Sequence, residues 1–327
     1  MIDLLGLISK TTAFKTVVKE KQKNALSHAY LILSKDKDNL KEYLKIFAKL
    51  ILCEEVLPCG KCRSCTLIDS QSYSDVIFLP REKDVVLTED INYLIEESFY
   101  KPIEAKKKVF VISGAETMNA PSQNKLLKTL EEPPENVIII LGATSEYPLL
   151  STVKSRVKRL EIPCFSDEEL FSALKAECDD VEKLKNAIAC GDKTVGGTKE
   201  LYGDKDFSNL VSAVEDVLVN MKASSSVLTY SNKLAKLKCD VEKFLSVLEV
   251  KLNDFMLILN GKQDIVSDKK SIELFKRTTN FTLGSIVYIL EKIVLARKKK
   301  IANVNDATIM EWTLFQILEG KHKWLKL

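Results

Sequence analysis

A chain of 327 residues, 46% of them hydrophobic and 29% charged, has ample apolar surface for a core and the length of two or three domains. Its 49 basic and 46 acidic residues leave a net charge of +3, too small an excess to identify a nucleic-acid binder by charge alone. The opening stretch MIDLLGLISK has no basic region followed by a sustained apolar one, and the longest apolar run, Val137 to Leu141, is far too short to span a bilayer. The expectation is a soluble, cytoplasmic protein with no membrane partner.

Taken in chain order, short β-prone runs alternate with helical patterns over the first half: Ala29 to Leu33, Asp75 to Leu79, Val109 to Ile112, Val137 to Leu141 and, more weakly, Lys158 to Ile162. Such alternation predicts a parallel, five-stranded sheet with helices on both faces. Between the strands, Lys41 to Cys53 reads as a helix. So does Thr88 to Tyr100, where Thr88 precedes Glu89 and Asp90 as an N-terminal capping residue would. A third helix runs from about Pro121 to Glu132, with Leu126, Leu127 and Leu130 on one stripe and Pro133-Pro134 ending it.

All eight prolines lie at or before Pro163, and this composition shift marks a domain boundary there. Beyond it the period is helical throughout. Ser166 and Glu169 form a capping box, and a second helix follows before a glycine-containing loop at Gly191, Gly196 and Gly197. Residues 164–206 read as a small helical domain. From 207 to 327 the chain reads as a second, all-helical domain: Leu210 to Met221 repeat at helical spacing, Leu234 to Phe255 sustain a longer stripe, and Leu283 to Leu295 and Ala307 to Leu318 follow. Ser224-Ser225-Ser226 reads as a loop.

Four of the eight cysteines, Cys53, Cys59, Cys62 and Cys65, fall within thirteen residues as CEEVLPCGKCRSC. Clustering of this kind in a chain without a secretion signal favours metal over disulfides. One reversal at Pro58 and Gly60 lets four thiolates converge on a tetrahedral ion, and zinc fits that geometry in a structural role, since four thiolates leave no open position. An iron–sulfur cluster and a redox function are the alternatives, although the C-x2-C-x2-C-x3-C-P pattern is not matched. The remaining cysteines, Cys164, Cys178, Cys190 and Cys239, read as small core residues.

The blocks HAYLIL (His28 to Leu33), the cysteine cluster, KVFVISGAETMNAPSQNKLLKTLEEPPENVIIILGAT (Lys108 to Thr144) and LLSTVKSRVKRLEI (Leu149 to Ile162) resemble, in order, those of the AAA+ clamp-loader subunits of bacterial DNA polymerase III. The resemblance covers about half the chain, and LLKTLEEPPE is its most specific part. It implies an AAA+-like α/β domain over 1–163 with a zinc module at about 53–65. A lid over 164–206 and a collar that assembles subunits over 207–327 would follow.

Active members carry a phosphate loop, G-x-x-x-x-G-K-[ST], after the first strand, with glycines for backbone approach to phosphate and a lysine for its charge. Here the corresponding stretch is Ser34, Lys35, Asp36, Lys37, Asp38, Asn39 and Leu40, without glycine. The acidic pair that holds magnesium at the end of the third strand is replaced by Ser113 and Gly114, with Glu116 two residues late. The resemblance therefore implies a non-catalytic, delta-prime-type subunit that binds no ATP productively.

Ser155-Arg156 matches the family's S-R-C motif, with Val157 in place of the cysteine. The resemblance makes Arg156 an arginine finger acting in trans on a neighbour's ATP, supported by Ser155. Outside those blocks, an arginine between Lys154 and Lys158 is a solvated surface charge. The implied partners are the gamma/tau and delta subunits of a hetero-pentamer, with the sliding clamp and primer-template DNA met through the complex. Two rivals stand beside it: a gamma/tau-like ATP-hydrolysing subunit and a free-standing zinc-dependent nucleic-acid-binding protein. Among single residues, His28 and Trp312 read as structural, and Arg297 to Lys300 and Lys106 to Lys108 as solvated surface.

Overall fold

Five β-prone runs become one parallel sheet in the computed structural model, which describes residues 3–82, 84–237, 240–267, 269–278 and 281–323. The chain divides into two compact units, 1–177 with 194–196, and 178–193 with 197–327. In the first, α1 (Leu4–Ser9) and α2 (Thr12–Gln22) precede β1 (Ala29–Leu33), α3 (Leu40–Leu52) and α4 (Arg63–Asp69). Then come β2 (Val76–Leu79), α5 (Thr88–Ser98), β3 (Lys108–Ser113), α6 (Ala120–Glu131) and β4 (Val137–Ala143). The unit continues with α7 (Ser151–Lys154), β5 (Lys158–Glu161) and α8 (Asp167–Leu174).

The sheet runs β2-β3-β4-β1-β5 with every pair parallel, Phe110 opposite Ile139 and Leu31 opposite Leu141. Every residue of β1 and β4 is buried, as expected of central strands covered by helices on both faces. The edge strand β5 buries only Leu160. Because all strands point the same way, the loops that follow β1, β3 and β4 gather at one carboxyl edge, where open parallel sheets place their crevices. A cleft of about 420 Å³ lies there, lined among others by Lys37, Ser113, Glu116 and Thr144.

The second unit holds α9 (Val181–Cys190), α11 (Phe207–Asn220), α12 (Ser225–Lys236), α13 (Val241–Leu259), α14 (Lys270–Arg277), α15 (Leu283–Ile301) and α16 (Asp306–Lys323), with α10 (Val195–Gly203) entering it from the first. Phe244, Leu248 and Phe255 of α13, Ile286 and Ile293 of α15 and Leu314 and Ile317 of α16 share one core. Among the described residues no helix is long and apolar enough to cross a membrane.

Several sequence expectations change. The α5 helix begins after Leu87, whose N–H donates to Asp90 (3.0 Å), while the Thr88 hydroxyl meets Ser122 on α6. Tertiary contact has taken the capping hydroxyl. Gly196 and Gly197 lie inside α10, and Ser225 and Ser226 inside α12, so neither stretch is simply loop. The stripe expected over Leu234 to Phe255 is split between α12 and α13. Lys108 is buried on the first residue of β3, its ammonium held by Glu97 at 2.6 Å. Arg297 is paired with Glu242 and Glu249 of α13, each at 2.7 Å, and Lys300 with Asp306, so this helix end is an ion-pair network. Cys164 is exposed and Cys178 and Cys190 are half-buried; Cys239 lies outside the described residues.

Gly142 of β4 lies under α3 so closely that a Cβ there would sit 2.4 Å from Leu44 Cδ1 and 3.0 Å from its Cγ. Leu44 is fully buried and has nowhere to retreat. Gly142→Ala is expected to cost about 1–3 kcal/mol of stability by urea unfolding, as overpacking does. Combined with Leu44→Ala, the loss should fall short of the sum of the two.

Candidate functional site

Three groups of residues singled out by sequence fall on the first unit. The first is the thiol cluster. Cys53 follows α3, Cys59 and Gly60 make the reversal, and Cys62 caps α4, which carries Cys65. Gly60 has φ +69°, a left-handed conformation that glycine adopts without cost. That turn directs the Lys61 and Cys62 amides at Cys59, holding its thiol down at about 6. All four Sγ atoms lie within 4.8 Å of one another, and Cys53 Sγ is 3.8 Å from Cys62 Sγ. A tetrahedral ion bound at about 2.3 Å per sulfur spaces its ligands about 3.8 Å apart, so the set fits a metal ion such as zinc.

Burial pushes the Cys53 thiol up and the Cys65 thiol up to about 12. A cation among them supplies the charge that lets such buried sulfurs ionise. Lys21 of α2 donates to the carbonyls of Cys53 and Glu55, both at 2.6 Å, and ties the cluster to the N-terminal helices.

The second group is the carboxyl edge of the sheet. After β1, within the stretch where a phosphate loop would run, the chain carries Asp36, which is 97% buried. It accepts from the Asn39 backbone N–H that leads α3 (3.1 Å), from the Asn39 side chain, from the Tyr43 hydroxyl (2.7 Å), and from the Val195 and Gly196 amides at the start of α10 (3.1 Å each). One amide at the N-cap of α3 and two in the first turn of α10, donors of the kind a bound anion uses, are taken by a side chain of the protein. Gly196 is needed for this contact, because a Cβ there would lie 2.5 Å from Asp36 Oδ1.

Across the cleft, β3 ends in Ser113 and Gly114, and Glu116 sits one short turn later. One oxygen of its carboxylate accepts the Thr144 amide (3.0 Å) and hydroxyl (2.5 Å). Its other oxygen is buried without a partner among the described residues. Glu116 thus reaches the crevice with one oxygen held by Thr144, just after β4.

The third group is Arg156, which follows α7 and its C-terminal Ser155. The guanidinium is about one-third exposed. Its Nη2 meets Glu131 Oε1 at 2.6 Å, and Nη1 donates to the Thr152 carbonyl (2.9 Å) and to Ser155 Oγ (3.2 Å). Val157, next in line, turns inward to the sheet core. These groups are separate places: thiols, crevice and arginine do not converge.

Two residues that position the arginine were not singled out from the sequence. Gln123 of α6, 98% buried, donates to the Met118 (3.0 Å) and Pro148 (3.1 Å) carbonyls and accepts the Leu150 amide (2.7 Å), pinning the segment that leads into α7. A glutamine three and seven residues before Leu126 and Leu130 lies on the apolar stripe, and a polar residue there needs buried partners. Glu131 carries no such sign, since it belongs to an acidic pair at a helix end.

Residues 9–166 match the family described as DNA polymerase III, delta subunit. The chain is 26% identical over 307 residues to subunit delta' of DNA polymerase III from Bacillus subtilis, covering 91% of this chain and 93% of that protein. It is 29% identical to subunit tau of the same organism over 99% of this chain, and spans 58% of tau's length. A solved gamma-subunit-related protein of Thermotoga maritima overlays 95% of this chain and 100% of its own with a TM-score of 0.45 at 19% identity.

The thiol geometry predicts one equivalent of bound metal per purified chain by elemental analysis, absent from Cys62→Ser. Stripping the metal with a chelator should raise amide exchange between Cys53 and Asp69, where α4 depends on Cys62 for its cap.

Proposed function

We propose, from the match of residues 9–166 to a DNA polymerase III subunit family and the likeness to Bacillus subtilis subunit delta', that the chain is a delta-prime-type, non-hydrolysing subunit of the DNA polymerase III clamp loader. In this role it lends Arg156 to the ATP held by a neighbouring tau or gamma subunit, alongside a delta subunit. The assembly opens a ring-shaped sliding clamp and closes it on primed DNA.

The observation that carries this proposal is the fate of the nucleotide crevice. A phosphate needs unclaimed amides at a helix head and a cation near its oxygens. Here the Asn39 amide at the head of α3 and the Val195 and Gly196 amides at the head of α10 already serve the Asp36 carboxylate. Magnesium would need the carboxylates that Ser113 and Gly114 lack. A tau-like hydrolysing subunit, the rival favoured by identity across 99% of the chain, would require both features.

Arg156 is the group left over. It stands partly exposed after a short helix, with its orientation fixed by Thr152 and Ser155 and its base pinned through Gln123. A planar guanidinium held in that way suits the charge that develops on a phosphoryl group in transfer. In the same proposal residues 164–206 act as the lid and 207–327 as the collar. The collar role draws support from α15, where Leu283, Val287, Val294 and Ile301 are exposed on one face at helical spacing, an apolar strip suited to a neighbouring helix. Zinc is the proposed metal of the four thiols, in a structural role.

Arg156→Ala is expected to leave the chain folded and able to join the loader, since the side chain reaches the surface. DNA-stimulated ATP hydrolysis by the reconstituted complex should fall by at least about 10³-fold at the site it serves, the scale of an arginine finger. Total turnover should drop correspondingly where the sites fire together. Unchanged hydrolysis in a complex that still contains the variant would remove Arg156 from the mechanism.

A further inference from the structure

We infer that Glu131 is a latch on Arg156, holding its guanidinium in the free chain and giving way when a neighbour's phosphate arrives. The inference rests on the proposal that Arg156 acts in trans. The carboxylate and the guanidinium meet at 2.6 Å on the rim of an open cleft of about 520 Å³, lined by His28, Leu130, Glu131, Ser155 and Arg156. Both partners are exposed, Arg156 by 34% and Glu131 by 49%, so an incoming anion can reach the pair without unfolding anything.

The place of Glu131 in its helix is informative. It is the last residue of α6, where the helix dipole disfavours a negative charge, and Glu132 follows it. A carboxylate there gains nothing from its own helix, and Arg156 is its ion-pair partner. The opposite end of the guanidinium is tied differently. Nη1 stays on the Thr152 carbonyl and Ser155 Oγ, two acceptors in Arg156's own turn. Releasing Glu131 therefore frees Nη2 while Nη1 keeps its anchor, and the head turns on a fixed point.

Magnitudes decide the direction of exchange. An exposed ion pair of this kind is worth no more than about a five-fold preference. Bidentate contact of arginine with a phosphate is charge-assisted and stronger, so phosphate displaces the carboxylate. The latch then costs the assembled loader a few-fold in how readily Arg156 is engaged, and it keeps the arginine from other anions until then. Glu131 is a positioning residue in this scheme, since it touches the arginine and not the nucleotide.

The test titrates the full-length chain into a loader preparation that lacks it and follows DNA-stimulated ATP hydrolysis. Wild type, Glu131→Gln, Arg156→Ala and the double variant are compared, with circular dichroism confirming that each is folded. Glu131→Gln keeps the size of the side chain and removes its charge. It is expected to lower the concentration for half-maximal stimulation about two- to five-fold at low salt. The shift should shrink at high salt, where exposed pairs are screened, and Glu131→Gln should restore no hydrolysis in the Arg156→Ala background. A merely structural role would give no gain in affinity. A half-maximal concentration that is unchanged or raised in Glu131→Gln, with Arg156→Ala inactive, overturns the latch alone. Full activity of Arg156→Ala overturns the trans-acting arginine and the latch with it.

Discussion

A carboxylate can be buried as deeply as that of Asp36 only where donors surround it, because desolvating an unsatisfied charge costs several kcal/mol. Here the donors come from three places in the chain: the head of α3, the Tyr43 hydroxyl and the first amides of α10. That single contact fixes the loop after β1, occupies one amide at the head of α3 and two at the head of α10, and requires glycine at 196. At the carboxyl edge of the sheet an internal carboxylate takes donors of the kind that elsewhere hold phosphate.

What remains is a division of labour between rigid and exposed parts. The parallel sheet is buried on both faces at β1 and β4, and α3 lies on it closely enough that Gly142 admits no side chain. On that frame, Gln123 and Asp75 act as buried staples. Gln123 joins α6 to the segment before α7, and the Asp75 carboxylate takes the amides of Ile103, Glu104 and Ala105 at 2.6–2.7 Å. Arg156 inherits its position from the Gln123 staple. The thiol cluster stands apart, and its effect is local: it organises the turn between α3 and α4 and, through Lys21, joins that turn to α2.

Much of this was legible in the residues, for physical reasons that differ from case to case. Strands were readable because central parallel strands are continuous apolar runs, and the weak run at Lys158 was weak because β5 is an edge with three of four residues exposed. The thiols were readable because four ligands close in sequence can converge with one turn. Where the reading failed, a contact between distant segments had taken over a local role. Thr88 lost its capping hydroxyl to Ser122, Lys108 was drawn inward by Glu97, and the basic end of α15 found Glu242 and Glu249 on α13. Glu131 and Arg156 are 25 positions apart in sequence, and only the fold brings them to 2.6 Å. Asp36 is the sharpest case: an aspartate in that stretch argued against phosphate, but two of the five donors that hold it were invisible until α10 was placed.

Calorimetric titration of the isolated chain with magnesium and ATP tests most directly whether Asp36 stands in the place of a phosphate. With the helix heads occupied by Asp36, the account predicts no saturable heat up to millimolar nucleotide and no turnover of ATP by the chain alone. Saturable micromolar binding accompanied by hydrolysis would contradict it, since the crevice would then hold the phosphate that its own carboxylate is held to exclude.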